Sequence, residues 1–385
     1  MKIVINAINA VSPGAFQIAY NFLKALSTVD LMNQYLILLP SGYGYETLNV
    51  SQNLSVRYFQ WCISKKIWYA IFYGMMFKSI IKNFSADAII AFGNFNPVKT
   101  GVSTMVLLQN AFYVDFEAIH YLPFLQRMNK KIEIAAFSRT VNNADFFVVE
   151  SSYIKERLST VWGVSHDRIE VCPNSLSQAL IVDSKHLVKR PDILKGKFIL
   201  LYVSRFYPYK NHEFILKVAN YLRFKNIEDV VFLITVDDNI DGAKNFLQRT
   251  KAQGLERMII NIGEIPQNEL IKWYKISDAL FYPSSLETFG NPLIEAMSFG
   301  LPIFVVDLPY AKAVCGDAAL YFSNDSVEDT AEKILAIKKS EELRKELSSK
   351  SLQKFSQLPT WEQTVNRYLS IITSMVHNKN LRLPM

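Results

Sequence analysis

Short apolar runs alternate with stretches of helical periodicity along nearly the whole chain. In the first half, runs of strand type lie at 2–6, 35–39, 56–60, 88–91, 103–109, 145–149 and 169–172. Amphipathic stretches between them, such as 17–26 and 153–161, repeat apolar residues at three- and four-residue spacing, as a helix with one buried face requires. The second half repeats the alternation, with strands predicted at 198–203, 230–236, 258–262, 279–282, 302–306 and 319–322. Helices are predicted at 213–224, 242–253, 267–275, 292–299 and 327–338. Such alternation predicts parallel sheets covered by helices on both faces. Pro173-Asn174-Ser175 opens a polar, irregular stretch to about Lys197, which separates the halves. The reading is α/β, with two Rossmann-like doubly wound domains at 1–180 and 181–360 and a final helix at 361–377. Ligands of open α/β sheets bind beyond the carboxyl ends of the strands, so the loops that follow strands are where chemistry is sought.

The loop after 279–282 is the most informative. It reads Pro283-Ser284-Ser285-Leu286-Glu287-Thr288-Phe289-Gly290-Asn291-Pro292 and runs into a helix that Gly300-Leu301-Pro302 ends. Proline suits the first helical position and Asn291 suits the cap before it. Backbone N–H groups near 289–293, with the helix dipole, make a place for an anion. Glu287 and Glu295 stand on either side of that place, eight positions apart. A second signal is LLYVSRFYPYKNHEFIL at 200–216, where Arg205 and Lys210 follow a buried strand and precede a helix. A guanidinium can bind two phosphate oxygens at once, and an ammonium acts as a point charge, so the pair suits a diphosphate.

The string Pro283-Ser284, Glu287, Phe289-Gly290, Pro292, Glu295-Ala296-Met297, Gly300 and Pro302 resembles the Glu-x(7)-Glu signature of retaining glycosyltransferases of family 4, which have the GT-B fold. Arg205 and Lys210 resemble that family's Arg-x(4)-Lys pair. The resemblance implies two domains facing across a cleft, with the last helix returning to the first domain. It implies sugar transfer from a nucleotide diphosphate sugar with retained anomeric configuration. Arg205 and Lys210 would then neutralise the leaving diphosphate, Glu287 would contact sugar hydroxyls near the reacting centre, and Glu295 would hold the ribose. Thr288, Phe289 and Gly290 would lie against the donor. No metal ion and no cofactor is expected. The acidic run Asp237-Asp238-Asn239-Ile240-Asp241 reads as a turn of solvated aspartates rather than a cation site.

The first domain departs from the family. Its first loop usually carries paired glycines, whereas Ser12-Pro13-Gly14-Ala15 supplies Gly14 alone as a donor contact. Where relatives often place a histidine, VLLQNAFYVD offers Gln109 and Asn110, which can hydrogen-bond a hydroxyl but do not titrate.

Composition narrows the setting. A chain of 385 residues, half of them apolar and a fifth charged, has the length and grease for two cores. A net charge of +7 permits anionic partners without implying nucleic acid. Cys62, Cys172 and Cys315 are scattered and odd in number, which fits a reducing compartment. The N-terminus reads as a first strand rather than a leader, and the longest apolar run, 67–77, is too short to span a bilayer, so a cytoplasmic location is expected. From Arg57 through Ala86 five basic residues and no acidic ones are interleaved with Trp61, Trp68, Tyr69, Phe72, Tyr73 and Phe77. That stretch suits either the edge of an anionic membrane or a core helix with a lysine rim.

The combined reading is a glycosyltransferase that extends a lipid-linked oligosaccharide of a bacterial surface glycan, such as O-antigen or capsule. Two alternatives keep the same fold: a nucleotide-sugar epimerase, and a scaffold without catalysis. A dinucleotide oxidoreductase fits worse, because no Gly-x-Gly-x-x-Gly follows any strand.

Overall fold

A computed structural model describes residues 1–60, 68–69, 71–94, 96–180 and 188–382. The chain forms two compact units, one of Met1–Ser175 with the segment from Pro359 onward, the other of Leu176–Leu358.

The first unit is built on a seven-stranded sheet, all parallel: β1 (Lys2–Asn6), β2 (Gln34–Pro40), β3 (Leu54–Phe59), β4 (Ala88–Phe92), β5 (Ser103–Leu108), β6 (Phe146–Val149) and β7 (Ile169–Val171), in the order 3-2-1-4-5-6-7. The central strands β4 and β5 are buried along their whole length, as a sheet covered on both faces requires. The helix Pro13–Val29 covers one face through Ile18, Ala19, Phe22, Leu23 and Leu26. The helix Trp361–Arg382 returns to the same core, burying Trp361, Val365, Tyr368 and Ile372, with the Tyr368 ring 5.0 Å from that of Phe22. Thr360 and Gln363 start it with a reciprocal capping box: the Thr360 amide donates to Gln363 Oε1 at 2.9 Å and the Gln363 amide to Thr360 Oγ1 at 3.3 Å.

The other face carries Phe72, Tyr73, Phe77, Ile80 and Ile81, all buried against Val4, Leu38 and Ile89. Over its described part, the basic aromatic stretch 57–86 therefore spends these aromatics on the core. Trp61, Cys62 and the neighbouring lysines lie outside the described residues. No helix among the described residues is long and apolar enough to cross a membrane.

The second unit holds a six-stranded parallel sheet: β8 (Phe198–Tyr202), β9 (Val230–Ile234), β10 (Ile259–Asn261), β11 (Ala279–Tyr282), β12 (Ile303–Val306) and β13 (Ala319–Phe322), in the order 10-9-8-11-12-13. Strand order reverses between β8 and β11, whose Leu200 and Leu201 pair with Ala279 and Leu280. In the first sheet the reversal falls between β1 and β4. Connections that leave in opposite directions from such a pair open a crevice at its carboxyl end. The loops after β1, β4, β8 and β11 start there.

Candidate active site

Beyond β8, the chain passes Ser204, whose amide donates to Thr235 Oγ1 at 3.0 Å, and reaches Arg205. Pro208–Lys210 then forms a single tight turn, closed by Asn211 in the left-handed region at φ 56°. The Tyr202 hydroxyl donates to the Lys210 carbonyl at 2.6 Å, and the Ser285 amide to the Tyr209 carbonyl at 2.7 Å. These bonds tie the loop after β8 to the loop after β11 and aim Lys210 at Glu287.

The Lys210 ammonium donates to Glu287 Oε1, and the Tyr282 hydroxyl donates to the same oxygen at 2.6 Å. The ammonium also lies 5.7 Å from the Tyr209 ring centre and 5.8 Å from that of Tyr282. Burial, then the Glu287 charge, drives the Tyr282 hydroxyl well above the ordinary phenol range, so it stays a donor. The result is a mostly desolvated ion pair with a fixed proton donor at its carboxylate.

Glu295 sits deeper, on the inner face of the helix Asn291–Ser298. Tyr274 donates to its Oε2 at 2.6 Å and the Gln267 amide lies 3.5 Å from Oε1. Burial raises its pKa, and the hydrogen bonds from Tyr274 and Gln267 only partly oppose that. Arg205 stands apart from both acids. Its guanidinium pairs with Glu264, beyond β10, at 2.6 Å on a half-exposed surface. Of the predicted second-unit residues, Lys210 and Glu287 are in contact, Glu295 is packed with Tyr274 and Gln267, and Arg205 is held by a third acid that the sequence reading had not singled out.

The start of the helix differs from expectation. Its cap is Gly290, at φ 83° and without a side chain, Asn291 is the first helical residue, and Pro292 is the second. A left-handed cap suits glycine, and a Cβ there would meet Leu293 Cδ1 at 3.0 Å. The Leu293 amide is spent on the Gly290 carbonyl at 2.8 Å, so it drops out of the expected anion-binding set. The amides of Phe289 and Gly290 have no acceptor among the described residues. The Phe289 side chain is buried, so its contribution to a ligand is through the backbone, beside half-buried Thr288.

One buried histidine nearby was passed over in the sequence. His212 begins the helix His212–Phe224 with both ring nitrogens covered and without a hydrogen-bond partner, stacked on Phe206 at 4.8 Å and beside Tyr202 at 5.0 Å. Burial, assisted by the Lys210 charge, pushes its pKa down to about 3, so the ring is neutral. The Asp237 run behaves as a turn, with Asp237 Oδ1 accepting from the Asn239 amide and side chain, both at 2.9 Å.

Gly14 and Asn110 belong to the first unit. Gly14 lies in the first helical turn with open space where a Cβ would stand, so nothing local requires glycine there. Asn110 caps the short turn Ala111–Tyr113, its Oδ1 accepting the Phe112 amide at 3.1 Å. The unspent group is its neighbour Gln109, whose Oε1 and Nε2 are both covered and unpartnered. Its backbone amide donates to Asn94 Oδ1 at 2.8 Å. The preceding Gly93 is crowded by Asn9, which would stand 2.6 Å from any Cβ. Asn9 Oδ1 is likewise covered and unpartnered, and Asn6 Nδ2 donates to Tyr73 Oη at 3.0 Å. Uncharged amides thus cluster beyond β1, β4 and β5, where the first sheet reverses.

Two parallel α/β units with this loop chemistry define a GT-B glycosyltransferase. The second unit matches the family described as glycosyl transferases group 1 over residues 183–354, and the first matches glycosyltransferase family 4 over residues 14–177. The chain belongs to the family 4 glycosyltransferases. It is 26% identical over 263 residues to the O-antigen chain mannosyltransferase RfbU of Salmonella typhimurium, a match spanning 67% of each chain. It is 25% identical to a D-inositol 3-phosphate glycosyltransferase of Pseudarthrobacter chlorophenolicus over 43% of this chain and 40% of that one. Among solved structures, Anabaena HepE, determined with UDP and glucose, superposes with a TM-score of 0.72 at 15% identity, covering 97% of this chain and all (100%) of that one. WaaG, a glycosyltransferase of lipopolysaccharide biosynthesis, gives 0.71 at 13% identity over 97% and 100% of the two chains. At such identities these structures share the fold.

Proposed function

We propose that the protein transfers a sugar from a nucleotide diphosphate sugar to a lipid-linked oligosaccharide of a bacterial surface glycan, retaining the anomeric configuration and needing no metal ion. The observation that carries this reading is the Lys210–Glu287–Tyr282 cluster at the strand reversal of the second sheet, beside a helix start with two unspent amides.

Cleavage of the sugar–phosphate bond builds negative charge on the departing diphosphate and positive charge on the anomeric carbon. Lys210, Arg205 and the amides of Phe289 and Gly290 are the donors for the first charge. Each such preorganised donor is worth roughly 3–4 kcal/mol of barrier. In this arrangement both cations are engaged by acids, so an incoming diphosphate shares Lys210 with Glu287 and draws Arg205 from Glu264. Glu287, released in part, is placed for sugar hydroxyls, and Glu295 for the ribose. Gly14, Gln109 and Asn110 are assigned as the first unit's contacts to the sugar substrates.

Relatives named for O-antigen mannosyl transfer support a surface-glycan acceptor and make a mannosyl donor the first to try. The test is a calorimetric binding screen against UDP-, GDP- and dTDP-sugars, followed by turnover with and without a chelator. Absence of binding by every nucleotide sugar overturns the reading. Epimerised donor, formed without any acceptor, would assign the epimerase alternative instead.

A further inference from the structure

Two cations leave one loop in opposite directions. The sheet order 10-9-8-11 puts β10 and β11 on opposite sides of β8. Lys210 turns toward the β11 side, where its ammonium meets Glu287. Arg205 turns the other way, past β9, and its guanidinium meets Glu264 beyond β10 at 2.6 Å. A diphosphate held by both cations therefore requires the guanidinium to leave Glu264.

Glu264 is not free to follow it. Asn261, the last residue of β10, fixes the turn that carries the acid. Its Oδ1 accepts the Val236 and Gly263 amides, both at 3.1 Å, and its Nδ2 donates to the Val236 carbonyl at 3.0 Å. Gly263 takes the left-handed turn there at φ 79°, a conformation that suits glycine. The Ser204 amide is bonded to Thr235 in the same way, so the ends of β8, β9 and β10 form one stitched edge. The acid stands on a fixed frame, and the arginine is the long, rotatable partner. Their side chains are 43% and 53% exposed, which makes the pair weak enough to exchange for a stronger anion.

We propose that Glu264 is a positioning residue that competes with the departing nucleoside diphosphate for Arg205 and so hastens its release. A cation that stabilises charge building on the leaving group also holds the product once the bond has broken. A tethered carboxylate that takes the guanidinium back relieves that hold without touching the ligand. The inference rests on the reading of Arg205 as a diphosphate donor, and adds that an acid outside the ligand's contacts sets the affinity for product.

The test is a double-mutant cycle on product binding. Calorimetry and stopped-flow dissociation are run with UDP, GDP and dTDP on the unaltered chain, Glu264→Gln, Arg205→Gln and Arg205→Gln/Glu264→Gln. A half-exposed ion pair is worth up to about fivefold in an equilibrium constant. Glu264→Gln should therefore tighten the bound diphosphate about two- to fivefold and slow its dissociation by a similar factor, with an unchanged melt. In the Arg205→Gln background the same substitution should change neither. Glu264→Asp, which keeps the charge and shortens its reach, should act in the same direction more weakly, and it serves if Glu264→Gln melts early. Unchanged or weaker binding by Glu264→Gln overturns the proposal. So does tightening that persists without Arg205, which would be the general removal of a negative charge, or a gain confined to the association rate. If none of the three diphosphates binds the unaltered chain, the reading of the site fails and the proposal with it. If one binds and the cycle is flat, only the role of Glu264 is lost.

Discussion

Lys210 and Tyr282 donate to one oxygen of Glu287, and the lysine comes from a loop 77 residues earlier in the chain. With side chains only 15% and 13% exposed, lysine and glutamate hold each other in a site that water mostly leaves. The pair therefore has two roles that can be separated: it keeps two loops together, and it stores a cation and an acid where a diphosphate sugar would use both.

Removing Lys210 alone leaves the Glu287 charge buried with only a phenol beside it. Breaking one side of a buried pair costs about 3–5 kcal/mol, and somewhat less at this residual exposure. Lys210→Ala should lower both melting temperature and turnover. Lys210→Met/Glu287→Gln, which removes both charges and keeps the volume, should regain most of the stability and none of the activity. Thermal melts beside initial rates for the single and double variants check this. Activity returning with stability would mean that the pair is only a brace.

Glu295 should show the opposite balance. A buried carboxyl with a raised pKa holds its proton more tightly folded than unfolded. Folding is thus favoured by protonation, and stability falls as pH rises from the ordinary 4.5 through the raised value. Glu295→Gln removes that cost and still accepts from Tyr274. It should raise the melting temperature at neutral pH, by about 2–4 °C per kcal/mol recovered. Nucleotide affinity should fall about tenfold to a hundredfold, as expected for losing a charged hydrogen-bond partner. Melting curves and calorimetry on the same samples decide it.

His212 sets an acid limb. Its folded pKa, pushed down to about 3, lies below the ordinary 6.5, so the unfolded chain takes the proton first. Stability is complete above 6.5 and is lost as pH falls toward 3, at up to about 1.4 kcal/mol per unit. His212→Phe, which fits the stack with Phe206 and Tyr202, should flatten that loss. Urea midpoints between about pH 4 and pH 7 measure it, and an unchanged slope would remove His212 as its source.

Many of the strands were open to reading because burial writes itself into them: β4, β8 and β9 are continuous apolar runs, β5 is apolar after Ser103-Thr104, and all four match the expected segments within two residues. The helices Phe124–Thr140 and Glu341–Ser356 escaped because they bury one and two side chains, too few to print a period. Lys210 and Glu287 were visible as motif residues, but their contact was not, since it depends on how two strand-end loops fold over β8 and β11. The Gly290 cap was hidden by Asn291, a better capping residue on propensity, because the left-handed turn comes one position earlier. Glu264 carried no local signal at all: it is an acid in an ordinary loop until β10 brings it beside Arg205.

Gln109 offers the last test, because its amide is buried yet unspent. A covered polar group without a partner costs about 1–3 kcal/mol, which a ligand hydroxyl would return on binding. Gln109→Met keeps the side-chain length and discards the amide. The expected outcome is equal or higher stability, with kcat/KM for the preferred donor–acceptor pair reduced about tenfold to a hundredfold. If an enclosed water satisfies the amide instead, the same variant would lose stability and keep its rate. Melting temperature and kcat/KM, measured together, thus distinguish a residue waiting for substrate from one already served.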